Sequence, residues 1–302
     1  MAEWIDLIDP TPDELREKLP REIQESALER LLAPAQHDDE PRPTLQSHGN
    51  YIFGVFLLAV AVPEEDRVFY QEVDVVVTHD VLLTLTKTPP GEHPYDPRPA
   101  RESCRADDSA GMMFYRLVDD IAEHYLDLID EVDEEIDQLE DTVETTPAAV
   151  TRVRLSELRH DLLHIRRTLA PTRDAIRRVV DNVVEVAEGQ EVFPHEVEVA
   201  FNSAYDKLLR AFDGLELSRD LIASVRDYLQ SKVANDQNEV MKKLTVIASV
   251  LLLPTFIVGN YGQNFKHHFP ELQWQWGYAF AWGLIIVTTA IQLVFFKRKK
   301  WI

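Results

Sequence analysis

Two uncharged runs near the end of the chain, Leu244 to Tyr261 and Gly277 to Phe296, constrain its fold more than any other feature. As a helix, each is long enough to cross the hydrocarbon core of a bilayer, for which 18 or so apolar residues suffice. Lys242 and Lys243 precede the first run, and Lys297-Arg298-Lys299-Lys300 follows the second. Positive flanks mark cytoplasmic ends, so both termini are expected in the cytoplasm and the short connection between the runs outside. Trp274, Trp276 and Tyr278 sit where an interfacial aromatic belt is expected. A soluble core has no reason to hold two charge-free spans framed by lysines. The chain therefore reads as a multi-pass protein of the cell (inner, cytoplasmic) membrane, with membrane lipid as a partner.

Outside those runs the sequence looks soluble and acidic. Its 53 Asp+Glu exceed 31 Lys+Arg, a formal charge of −22 over 302 residues. A polyanion repels nucleic acid and attracts metal cations, so divalent metal ions are expected partners and nucleic acid is not. Cys104 is the only cysteine, which rules out a disulfide framework or a cysteine zinc cluster. Met1 to Gln24 lacks the basic-then-apolar pattern of a secretion signal, so the bulk of the chain is expected to stay in the cytoplasm.

Residues 1–110 read as a cytoplasmic α/β domain. Pro12-Asp13-Glu14-Leu15 has the proline and acids of a helix start, and Ile23 to Leu32 is a second helical stretch. Three β-rich runs follow, Tyr51 to Val60, Val68 to Val77 and Val81 to Thr86, each bounded by turn residues. Pro89 to Pro99 reads as a loop. Residues 111–188 read as a helical hairpin. Its first arm carries an apolar stripe from Leu117 through Ile121, Tyr125, Leu128, Val132 and Ile136 to Val143, and thirteen acids with no Lys or Arg among them. Its second arm, after Thr145-Thr146-Pro147, is rich in arginine, so Coulomb attraction is expected to pair the two arms.

After Phe193-Pro194 helical periodicity continues, through a stalk helix over 193–243, into the first span over 244–261. One helix over 196–261 would be roughly 100 Å long, far more than a bilayer needs. An external loop over 262–276, a second span over 277–296 and a basic cytoplasmic tail over 297–302 complete the expected order. Steps of three and four place Asn238, Met241, Leu244, Ala248, Leu252, Thr255 and Gly259 on one face, polar at both ends and apolar in the middle. Two helices cannot enclose a polar path in lipid. Such a face suits either a pore made by several copies, with an apolar constriction, or a non-conducting contact between copies.

At this point the sequence resembles the CorA-type magnesium transporter family. The resemblance rests on Asn238-Glu239-Val240-Met241-Lys242, on Thr255-Phe256-Ile257-Val258-Gly259-Asn260-Tyr261-Gly262-Gln263-Asn264-Phe265, on Pro270-Glu271-Leu272 and Trp274-Gln275-Trp276-Gly277-Tyr278, and on the basic end at Lys297 to Trp301. Asp133-Glu134-Glu135-Ile136-Asp137-Gln138-Leu139-Glu140 looks like the family's acidic helix. The resemblance implies a homopentameric funnel with the first span lining the pore, and Mg²⁺ (or Co²⁺ or Ni²⁺) as the cargo. It implies a gate at Asn238, Met241 and Leu244, an inner polar ring at Thr255, with Gly259 beyond it on the pore face, and a selectivity filter at Gly262, Gln263 and Asn264. The family's filter is Gly-Met-Asn, so Gln263 departs from it, and relatives with altered middle residues include zinc carriers. Glu271 in the external loop is expected to gather cations, with Lys266 opposing it. Regulatory Mg²⁺ is expected on acids among Asp206, Asp133, Glu134 and Asp137; the stalk position where an acid is usual holds Ser203.

His160 and His164, spaced i, i+4, could form a two-histidine metal pair, and His267-His268 could meet arriving metal. No phosphate loop, nucleophile elbow or metalloprotease helix is present, so the chain is not expected to be an enzyme and needs no cofactor beyond its ion. Three readings remain: a magnesium transporter, a zinc or other transition-metal transporter (proton-coupled or not) on the same scaffold, and a non-conducting membrane-anchored scaffold.

Overall fold

The computed structural model of the chain describes residues 2–19, 23–35, 41–62, 67–91, 94–184, 186, 191–263 and 274–302. The elements are β1 (Glu3–Ile8), α1 (Pro12–Lys18), α2 (Glu25–Leu32), β2 (Thr44–Ser47), β3 (Ile52–Val62), β4 (Arg67–Val77), β5 (Val81–Lys87), α3 (Arg98–Glu102), α4 (Ala110–Thr142), α5 (Ala148–Val180), α6 (His195–Tyr261) and α7 (Gly277–Arg298). They fall into two compact units, Met1–Arg226 and Asp227–Ile302.

The first unit is built on a five-stranded sheet in the order β1-β5-β4-β3-β2. β1 runs parallel to β5, with Ile5 beside Leu83, and the other pairs are antiparallel. Strands β1 and β2 go beyond the sequence reading. β1 is six residues long and pairs with a strand nearly eighty residues away, and β2 spans only four residues, so neither has enough local pattern to announce itself. The proline-rich stretch likewise ends in a short helix, α3, where Pro99 fits because a first-turn N–H has no helical acceptor to lose. Helix α1 starts at a capping box: Thr11 and Glu14 satisfy each other's backbone N–H groups.

Side chains alternate across the sheet, so each face packs on different helices. On one face Phe53, Val55, Val76, Leu83 and Leu85 pack with Leu15 of α1 and Leu31 of α2. From the other, Phe56 meets Phe114 of α4 at 5.7 Å between ring centroids, and Phe114 meets Phe201 of α6 at 5.5 Å. Gly111 lets α4 begin against the Val192 backbone, since a Cβ there would overlap the Val192 carbonyl. On the α2 face a buried cation sits among acceptors: Lys87 Nζ lies 2.7 Å from Glu72 Oε1, 2.7 Å from Asp74 Oδ2 and 2.9 Å from the Arg30 carbonyl oxygen. Arg30 is in the last turn of α2, where positive charge is favourable. Burial, reinforced by the Glu72 carboxylate, pushes the Asp74 carboxyl up to about 8 against the pull of Lys87.

Helix α4 buries Leu117, Ile121, Tyr125, Leu128, Val132 and Ile136, the stripe expected from the sequence. Its charges pair differently from the expectation. Among the described residues, Arg154 of α5 reaches Glu135, but Arg166 pairs with Glu216 of α6 and Arg178 donates to the Leu45 carbonyl. The cation serving α4 higher up is Lys207 of α6, 3.0 Å from Asp119 and 2.7 Å from Glu123. Burial disfavours the Lys207 charge, yet hydrogen bonds to Glu123 and Asp119 outweigh it and raise the pKa. By the helical repeat Arg152, Arg159, Arg166, Arg167, Arg173, Arg177 and Arg178 share one side of α5 while Arg154 stands on the other, so only part of that charge can face α4.

The second unit holds the end of α6 and all of α7. Both helices are long and apolar enough to cross a membrane. Only 11% of the most apolar window of α6 and 6% of that of α7 is buried within the chain, whereas a soluble core helix would be mostly buried.

Candidate functional site

The seam between α6 and α7 fixes which face of α6 is left over. Gln292 Nε2 donates to the Ser249 carbonyl at 3.2 Å. Val246 and Ile257, at 8% and 7% exposure, share the Ser249 side of α6 by steps of three and four. The side away from Val246 and Ile257 carries most of the residues singled out above. Met241, Leu244 and Leu252 are exposed, as are Asn238, Ala248, Thr255 and Gly259. A Cβ on Gly259 would meet nothing within 4 Å, so this stretch of the face is open.

The chemistry of the face is neutral and oxygen-rich where it is polar. Thr255 spends its hydroxyl hydrogen on the Leu251 carbonyl at 2.7 Å. Its oxygen lone pairs stay available, the state in which a hydroxyl accepts from the water around a cation. Leu244, Ala248 and Leu252 leave an apolar stretch between Asn238 and Thr255. At the end of α6, Gly262 N–H bonds the Val258 carbonyl at 2.8 Å and both Gly262 and Gln263 are exposed. Asn264, Lys266, His267, His268 and Glu271 lie outside the described residues.

The regulatory candidates are dispersed. Ser218 of α6 donates to Asp133 at 2.5 Å, while Glu134, Asp137, Ser203 and Asp206 are exposed. Among the described residues no group of three or more His, Cys, Asp or Glu side chains is placed to hold a metal ion. The His160 and His164 rings stack at 5.7 Å, and His164 packs on Tyr70 at 5.3 Å. Sequence reasoning passed over Gln292, whose signal was the one amide within an uncharged run; a polar side chain inside a span warrants a functional question.

The architecture is an N-terminal α/β domain, a long helix and two C-terminal helices long and apolar enough to cross a membrane, and it is the one its relatives share. The chain belongs to the CorA-like Mg²⁺ transporter protein family, whose model matches residues 2–298. It is 32% identical over 267 residues to the cobalt/magnesium transport protein CorA of Thermotoga maritima, covering 86% of this chain and 73% of that one. The complete structure of the CorA magnesium transporter from Methanocaldococcus jannaschii shares the fold with a TM-score of 0.78 at 18% identity, over 99% of this chain and 91% of that one. The full-length CmaX structure matches with a TM-score of 0.71 at 20% identity, over 99% and 89%. The protein is thus a CorA-like divalent cation transporter of the membrane, in a family of transporters rather than enzymes.

Proposed function

We propose that five copies of the chain surround a pore that carries magnesium across the cytoplasmic membrane, with both termini in the cytoplasm. The observation that carries this reading is the exposed face from Met241 to Gly259, on the side of α6 away from the buried Val246 and Ile257. In lipid, the polar end at Gly262–Gln263 needs partners that one chain does not supply, and a ring of copies supplies them and faces the open Thr255 oxygens to water. Asn238, Met241 and Leu244 form the inner gate, closing by the dewetting of apolar rings. Gly262 carbonyls with the Gln263 and Asn264 amides form the mouth. Magnesium gives up its waters reluctantly, so neutral amides and carbonyls hold it through them. Glu271 gathers cations at the outer surface. With no phosphate loop in the sequence to couple fuel, transport runs down the ion's gradient or on another's.

Gln263, where the family has methionine, favours a second reading: a zinc or other transition-metal carrier, with or without proton coupling. Uptake into liposomes holding the purified protein separates them, comparing Mg²⁺, Co²⁺ and Zn²⁺ with and without a pH gradient. The magnesium reading expects Mg²⁺ entry that ignores the pH gradient. Zn²⁺ entry that follows the gradient supports the second reading. No entry of any ion, or a monomer by native mass spectrometry, overturns the pore.

A further inference from the structure

The bond between Gln292 and Ser249 joins α6 to α7 through residues 43 apart in sequence, inside the spans. Gln292 is not an obvious choice for that place. Its Oε1 has no hydrogen-bond partner among the described residues, and neither does Oγ1 of Thr289 one turn earlier, although both atoms are shielded. An amide kept half-satisfied in hydrocarbon is costly, and leucine there would insert more readily.

The bond lands where α6 is weakest. Pro254 lies inside the helix and has no N–H, so the Val250 carbonyl loses its partner one turn on. The freed Val250 acceptor directly follows the Ser249 carbonyl that Gln292 holds. Helices bend at such turns. Thr255, on the open face, is the residue after Pro254, so a bend there changes how Thr255 and Leu252 stand on that face.

We propose that Gln292 is a positioning residue for ion transport: its carboxamide ties α7 to the proline-weakened turn of α6 and sets the bend that presents Thr255 and Leu252 to the pore. This rests on the pore reading above. The bond is the one described polar link between the spans, and it acts in a medium where water does not compete for either group. Hydrogen bonds between membrane helices shift an equilibrium by about threefold on average and by nearly twentyfold at most.

The test uses the full-length protein, reconstituted as wild type, Gln292→Leu and Thr288→Val. Thr288 is a control, because its hydroxyl already bonds the Leu284 carbonyl within its own helix. Two quantities are read: hydrogen–deuterium exchange of the α6 amides on either side of Pro254, and the internal Mg²⁺ concentration that halves uptake per assembled protein. Gln292→Leu is expected to exchange severalfold faster at that turn and to move the half-inhibiting concentration about threefold or more, with Thr288→Val unchanged in both. Exchange and half-inhibition equal to wild type overturn the inference. So does a Gln292→Leu protein that only assembles in smaller amount, because that is a packing effect alone. If the wild type carries no divalent ion, the pore reading fails, and the exchange comparison still decides whether Gln292 braces the turn.

Discussion

Between Val197 and Val225, α6 behaves as a core helix; between Asn238 and Tyr261 it does not. The first stretch buries Phe201, Ala204, Leu208, Ala211 and Leu215 almost completely, and its Lys207 and Ser218 find carboxylate partners on α4. The second buries only Val246 and Ile257 and leaves its apolar and polar residues open. One helix therefore answers to two solvents. Where water surrounds the domain, the chain satisfies its own polar groups and hides its own apolar ones. Where lipid surrounds it, apolar exposure costs nothing, and the polar groups need partners from outside the chain.

The sharpest way to break this contrast is to truncate one large side chain in each stretch. Phe201→Ala removes a ring in contact with Phe114, Phe193 and Tyr115, and is expected to cost about 3–5 kcal/mol of stability. Leu252→Ala, at 72% exposure, should stay within about 0.5 kcal/mol and alter uptake instead. Urea titration of the full chain in detergent, followed by far-ultraviolet circular dichroism, measures both. Equal destabilisation would mean that the second stretch is packed within the chain after all.

Asn264→Ala sharpens the functional side of the same contrast. Losing the amide ring at the mouth is expected to cut Mg²⁺ uptake more than about tenfold while native mass spectra show the same assembly. Wild-type flux through this variant would move selectivity away from the mouth.

The contrast also explains what the sequence disclosed. Spans are legible because a bilayer demands a long charge-free run, and 244–261 and 277–296 meet that demand locally. The stripe of α4 is legible because a helix repeats within its own length. The Lys87–Glu72–Asp74 cluster was not, since Lys87 faces Glu72 only through the register of β4 on β5. The α4–α6 ion pairs are likewise set by tertiary packing, with Lys207 more than eighty residues from Asp119. At the candidate site, helical arithmetic on α6 picked out the open face. It had no means of showing that Gln292 occupies the other one.

Asp74 gives the soluble domain a pH dependence of known sign. Its carboxyl is held at about 8 in the folded chain against 3.8 as the ordinary value. A raised carboxyl contributes stability that is fully present below the ordinary value and is lost as pH rises through the folded one. Between those limits the unfolded chain has released a proton that the native chain keeps, so stability falls by up to about 1.4 kcal/mol per pH unit from this group. Asp74→Asn keeps the shape and removes the titration, so the fall from pH 6 to pH 8 should be flatter than in wild type. Parallel denaturation midpoints across that range would show that Lys87 keeps Asp74 ionised in the fold.

The smallest expected effect concerns the acidic helix, where the two solvents meet a third component, the ion. Thirteen carboxylates on the arm from Asp119 to Glu144 repel one another unless neutralised. The chain itself serves several of them: Lys207 pairs with Asp119 and Glu123, the Tyr95 hydroxyl donates to Asp120, Arg154 pairs with Glu135, and Ser218 holds Asp133. Glu134 and Asp137 remain exposed, as does Asp206 on α6. Exposed acids bind Mg²⁺ loosely, and several copies around one axis would bring such faces together. A state that binds more ions is stabilised as their concentration rises, so millimolar Mg²⁺ should favour the closer arrangement. Limited proteolysis of α4 and α6 should then slow by a fewfold in Mg²⁺ and recover in EDTA, and Glu134→Gln with Asp137→Asn should shrink the difference. Asp133 is the informative contrast. Because Ser218 already occupies it, Asp133→Asn should loosen the α4–α6 contact without removing the response to Mg²⁺. If cleavage is equally fast with Mg²⁺ and with EDTA, these acids are a solvated face only, and the exposed stretch of α6 keeps its role without them.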